Sequence, residues 1–105
     1  MNAARTAGPP PARRLALAVL ARVLPEPTGE DRIAGQDVQA ALDTALAVPD
    51  LDPRDRGLAT ELVYGYLRLC GRIDFLLSRF LSKPNAVPFK ARRILGLAAY
   101  ESLFC

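Results

Sequence analysis

A chain of 105 residues has room for one core, and a domain of that length buries roughly 65% of the surface its unfolded form exposes. Half of the residues are hydrophobic and 24% are charged, which is ordinary for a globular domain and argues against a disordered chain. The net charge of +3 hides a segregation, because residues 1–24 carry +4, residues 25–52 carry −6 and residues 53–105 carry +5. The basic parts suit an anion such as RNA; mutual pairing of basic and acidic segments is the alternative that charge by itself leaves open. There is no His, so the usual general base and imidazole metal sites are missing. The seven glycines are scattered and outline no phosphate-cradling or dinucleotide loop, so no cofactor is expected. Cys70 and Cys105 lack metal-ligand spacing and sit in apolar helical surroundings, which reads as thiols in a reducing cytoplasm rather than a disulfide. No apolar run reaches the ~18 residues that cross a bilayer, and the early apolar stretch, broken by Arg22, reads as a soluble helix rather than a signal peptide.

Residues 1–10 are rich in Ala, Gly and Pro with no apolar period, so they are expected to form a flexible basic arm whose Arg5 reaches toward a polyanion. Pro11 opens the first predicted helix, which runs to about Leu24, where Pro25 and Pro27 prevent continuation. Leu15, Leu17, Val19, Leu20, Val23 and Leu24 share one arc, and Arg14, Ala18, Ala21 and Arg22 face the other way. Two arginines on a face of small residues can be approached closely by a phosphate backbone. Pro25–Gly35 is a predicted loop. Gln36–Ala47 is a short predicted helix with Val38, Ala41, Leu42, Ala45 and Leu46 inward and Gln36, Asp43 and Thr44 outward. Val48–Leu51 is the turn that follows.

The stretch from Asp52 to Leu69 is the best specified helix. Asp52 is placed to cap it, Pro53 fits the first helical position because it has no amide to lose, and Asp55 sets negative charge beside the positive helix end. Capping explains this carboxylate pair without a catalytic role. Leu58, Leu62, Gly65, Tyr66 and Leu69 recur at helical spacing, widened by Ala59, Val63 and Cys70, so the helix is expected to sit among several others. Tyr64 and Arg68, one turn apart on the polar strip, are spaced for a guanidinium to lie along a ring. Gly65 costs about 1 kcal/mol relative to Ala, which suggests another helix backbone passing close by. Gly71 is read as a reversal, followed by a helix from Arg72 to Ser82 with Ile73, Leu76, Leu77, Phe80 and Leu81 inward and Arg72, Asp74, Ser78 and Arg79 outward. Phe75 falls on its polar side, either filling a gap under the next loop or stacking on a base or partner. Lys83–Pro88 breaks the chain again. Phe89–Cys105 is apolar nearly all round beyond Arg93, which predicts a helix at the centre of a bundle. With no capping signal at Cys105, the bundle reads as truncated at its C-terminal end, with apolar surface near Leu103 and Phe104 available to a partner.

The run from Arg54 to Arg68, RDRGLATELVYGYLR, resembles the signature of the NusB-like domain at the front of RsmB-type ribosomal RNA cytosine-5 methyltransferases. Ala12–Leu24, ARRLALAVLARVL, is similar to that family's basic first helix, and Ile94–Phe104, ILGLAAYESLF, to a later one. The resemblance implies an all-α, NusB-like helical bundle over residues 11–105, of which about five helices are present, binding ribosomal RNA without catalysing a reaction. It also implies that S-adenosylmethionine and the nucleophilic cysteine belong to a later domain that this chain lacks, so neither Cys70 nor Cys105 inherits that role. The expected RNA contacts are Arg5, Arg13, Arg14 and Arg22, followed by Lys90, Arg92 and Arg93 at the start of the last helix. A methyltransferase domain or another protein is the expected partner of that last helix. Two rival readings remain: a free-standing NusB-type transcription antitermination factor, and a helical module that binds only protein.

Overall fold

In the computed structural model of the chain, residues 11–26, 35–80 and 87–104 are described. They form four helices in the order α1 (Pro11–Val23), α2 (Val38–Ala45), α3 (Pro53–Phe80) and α4 (Phe89–Phe104), with no strand among the described residues. The expected basic arm of residues 1–10, with Arg5, lies outside the described residues, as does Cys105. Cys70 is a half-buried free thiol.

Local chemistry explains most of the boundaries. In α2 the cap is Asp37, whose carboxylate accepts from the Ala40 amide at 3.0 Å, so the helix starts two residues later than its apolar spacing suggests. Asp52 caps α3 as expected: its side chain accepts from the Arg54 amide at 2.9 Å and its carbonyl from the Arg56 amide at 3.0 Å. In α4 the Pro88 carbonyl accepts the first helical bond, from Arg92. Between α1 and α2 the chain folds back until the Gln36 amide donates to the Arg22 carbonyl at 2.9 Å. Gly35 is required at that crossing, because a Cβ there would strike the Val23 carbonyl.

Among the described residues four helices stand where about five are expected, because no reversal occurs at Gly71. A Cβ at Gly71 would meet nothing within 4 Å, so the glycine sits on an open face of one continuous 28-residue helix. The register of Tyr66, Cys70, Ile73 and Leu77 carries through it, and Ile73 is fully buried. Burying an isoleucine contributes about 2 kcal/mol, against about 1 kcal/mol for a helical glycine, so burial wins.

The central element is α3, with α1 and α4 packed against it and α2 resting mainly on α1. Its buried line is Ala59, Leu62, Val63, Tyr66 and Ile73; Leu58, expected inward, is 44% exposed because Ala59 takes that direction. From α1 the deepest residues are Ala12, Ala16, Val19 and Leu20, so two alanines, not the flanking leucines, bring α1 close to the core. The stripe of α2 packs as its spacing predicts, with Ala41, Leu42 and Leu46 buried and Val38 and Ala45 against them.

The expectation that α4 lies at the centre is corrected. Only Gly96, Leu97 and Tyr100 of this helix are buried, while Ile94, Leu95, Leu103 and Phe104 are exposed. Its contact with α3 is an interlock of small and large residues. A Cβ at Gly65 would collide with the Tyr100 phenol, and one at Gly96 would lie 2.8 Å from the Tyr66 hydroxyl. Gly65 therefore receives a tyrosine ring, not the helix backbone expected there. Tyr64 also departs from expectation, since its hydroxyl donates to Gln39 Oε1 of α2 at 2.8 Å. Phe75 is 59% exposed, and the loop it is expected to underlie lies outside the described residues.

Two glycines of α3 should thus respond in opposite directions to alanine. Gly65→Ala is expected to cost about 1–3 kcal/mol by overpacking against Tyr100, and Gly71→Ala to stabilise by about 0.5–1 kcal/mol through helix propensity. Urea denaturation of both variants checks this; a stabilised Gly65→Ala would refute the interlock.

Candidate nucleic-acid interface

The basic residues expected to meet RNA fall into three situations. On α1, Arg14 and Arg22 are exposed, and so are Ala18 and Ala21 between them, because the apolar line of this helix turns the opposite side toward α3. Arg13, their neighbour, points instead at α4. Its Nε donates to Glu101 Oε2 and its Nη2 to Oε1, both at 2.9 Å, a bidentate pair with side chains 42% and 24% exposed. The hydrogen bond to Glu101 raises the Arg13 pKa, with burial opposing it. At that exposure the pair stabilises by no more than about 1 kcal/mol. Its main effect is to orient α1 against α4 at the rim of a cleft of about 450 Å³ lined by Leu17, Ile94, Leu97 and Ala98.

At the start of α4, Lys90 is exposed and Arg92 and Arg93 are half-buried. Arg93 Nη1 donates to the Tyr66 hydroxyl at 2.8 Å, and its guanidinium carbon lies 5.6 Å from the Tyr66 ring centroid and 5.0 Å from that of Phe89. Arg92 lies 5.6 Å from the Phe89 centroid. The Nε atoms of both arginines are buried and make no hydrogen bond among the described residues; the aromatic rings beside them supply cation–π attraction in its place. Burial raises the Tyr66 pKa, and the positive charge and hydrogen bond of Arg93 pull it partly back.

A further basic face is hidden in the sequence. Arg68, Arg72, Phe75 and Arg79 of α3 are all exposed, and the Arg79 guanidinium lies 5.8 Å from the Phe75 centroid. Their spacing of four, three and four residues is the available signal, but a break expected at Gly71 divides it between two helices. Among the described residues no group of His, Cys, Asp or Glu could hold a metal ion, and no helix is long and apolar enough to cross a membrane.

An all-helical bundle whose first and last helices begin in basic residues agrees with the signature found in α3, and the family model of the NusB family matches residues 10–105. The chain belongs to the NusB family. It is 43% identical over 91 residues to the ribosomal RNA small subunit methyltransferase B of Thermus thermophilus, a match covering 87% of this chain and 21% of that protein. A probable ribosomal RNA small subunit methyltransferase B of Bacillus subtilis is 38% identical over 52 residues, covering 50% of this chain and 12% of the relative. Its Synechocystis counterpart is 39% identical over 62 residues, covering 58% and 14%. This NusB-family chain therefore spans about a fifth or less of the curated relatives it matches. No solved structure matches it.

The buried Tyr66 proton gives the bundle an alkaline sensitivity. The folded state holds that proton more tightly than the unfolded chain does, so the contribution of Tyr66 is intact below pH ~10 and is lost as pH rises through its raised folded value. Tyr66→Phe, with no proton to lose, is expected to flatten the alkaline limb of a plot of denaturation midpoint against pH. An unchanged limb would assign that sensitivity to other groups.

Proposed function

We propose that this NusB-family chain is the RNA-holding part of a cytoplasmic ribosomal RNA cytosine-5 methyltransferase of the RsmB type, and that it is itself non-catalytic. The observation that carries the reading is the α1 face, where Arg14 and Arg22 stand exposed with only Ala18 and Ala21 between them, so phosphates can approach without a bulky neighbour. Lys90 adds an exposed charge at the start of α4. Arg5, outside the described residues, is a further proposed contact. Arg13, Arg92 and Arg93, held by Glu101, Phe89 and Tyr66, contribute positive potential from fixed positions and contact phosphates with whichever guanidinium edges their partners leave open. Methyl transfer belongs to the remainder of such a protein, which this domain serves by holding RNA while the target base reaches the reacting centre.

Family membership equally supports a free-standing antitermination factor of the NusB type, built on the same fold and also binding RNA. The exposed Ile94, Leu95, Leu103 and Phe104 favour an additional role for α4 as a seat for protein, either the methyltransferase domain or another partner. In both cases the arginine face of α1 is the RNA contact.

The double variant Arg14→Glu, Arg22→Glu tests this directly. RNA affinity should fall, and the slope of log affinity against log salt should shrink by about 0.7 for each phosphate that is no longer neutralised, with the far-ultraviolet circular dichroism unchanged. Full affinity with an unaltered slope would rule out the α1 face.

A further inference from the structure

Because α3 continues through Gly71, four exposed side chains that the sequence scatters over two predicted helices fall on one line. Arg68, Arg72, Phe75 and Arg79 are separated by four, three and four residues, so they lie within a narrow arc of the helix and along about 16 Å of it. Phe75 is 59% exposed, and the Arg79 guanidinium lies 5.8 Å from its ring centroid. Neither Arg68 nor Arg72 forms an ion pair among the described residues. Asp74 projects from a different side of the helix, and Glu61, two turns before Arg68, marks the end of the positive line.

We propose that this stripe is a binding track for single-stranded RNA, in which Phe75 stacks on an unpaired base and Arg68, Arg72 and Arg79 hold the flanking phosphates. The inference rests on the RNA reading above and adds a second contact surface to it. Stacking distinguishes the occupant. An unpaired base has a face to lay on the open side of the Phe75 ring, extending the pile that Arg79 begins, whereas a base inside a duplex presents only its edge. An acidic peptide would engage the arginines and leave the ring idle. The rigid helix holds charges and ring at set intervals, so little ordering is needed on binding.

The test uses the 105-residue chain with a short unstructured oligoribonucleotide followed by fluorescence anisotropy, the same oligonucleotide annealed as a duplex, and a polyglutamate peptide as competitor. Phe75→Ala is expected to weaken single-strand binding about tenfold without changing the salt slope, and Phe75→Tyr to restore it. Arg72→Glu should reduce the slope by about 0.7, while Arg56→Glu, an exposed charge on another side of the same helix, should leave it unchanged. All of these residues are exposed, so loss of fold does not confound the readout. If the α3 variants bind as tightly as the unsubstituted chain while Arg14→Glu, Arg22→Glu loses affinity, the track is overturned and the α1 reading stands. If the unsubstituted chain fails to bind RNA, both are overturned. If Phe75→Ala is silent while Arg72→Glu weakens RNA and polyglutamate alike, the stripe is a site for acidic protein and the stacking proposal is overturned.

Discussion

The packing of two tyrosines into two glycines determines where everything else in this bundle sits. Tyr66 of α3 lies over Gly96 of α4, and Tyr100 of α4 lies over Gly65 of α3. Each ring needs the space left by the other helix's missing side chain, so the register between the two helices has little freedom to slip. Once that register is set, Arg93 is brought to the Tyr66 hydroxyl and to the Phe89 ring, and Glu101 is brought within reach of Arg13 on α1. The same interlock decides what is left outside. Burial of Gly96, Leu97 and Tyr100 turns Ile94 and Leu95 toward solvent, which gives α4 an apolar outer surface.

Much of this is legible in the chain, and the legible parts share a cause. Asp52, Pro53 and Asp55 act through the first turn of their own helix, and the outward set of α1 or the inward stripe of α2 follows from a pattern with one apolar side. The misread parts lack such a side. An apolar residue stands in nearly every direction around α4, so helical spacing cannot choose which is buried, and the choice is made by where glycine admits a tyrosine. Leu58 and Ala59 are adjacent apolar residues, and packing selects the smaller. In α1 the same competition puts Ala12 and Ala16 innermost, since small residues permit the close approach that bulky ones prevent. At Gly71 a local breaker signal loses to burial of Ile73 two residues later, a gain that exists only when the helix is already docked.

Charge is legible as a count but not as availability. Arg13 and Arg14 are adjacent and chemically identical, yet a helix sends them in directions about 100° apart: Arg13 closes a bidentate pair on Glu101, and Arg14 lies on the exposed face. Arg92 and Arg93 likewise serve the fold, their stems and guanidinium planes covering Phe89 and Tyr66. The Arg13 fork, filled by a carboxylate, and those of Arg92 and Arg93, laid on rings, have fewer donors left for a phosphate than an open fork has. The surface suited to a polyanion is therefore made by directions, which only the packed structure supplies.

Continuity of α3 bears on this in a way that charge counting does not. Two helices joined at Gly71 would leave Arg68 and Arg72 on separate bodies, and their spacing would depend on the angle of the turn. One unbroken helix sets that spacing by its own pitch and carries it on to Arg79. Its inner side is anchored by Tyr66 and Ile73 in the core, so residues that confer stability also hold the outer arginines and Phe75 at their intervals. A site supported in this way relies on a rigid element rather than a loop. The exposed glycine at position 71, which weakens the helix locally, is tolerated because the opposite side of the same stretch, at Ile73, is buried.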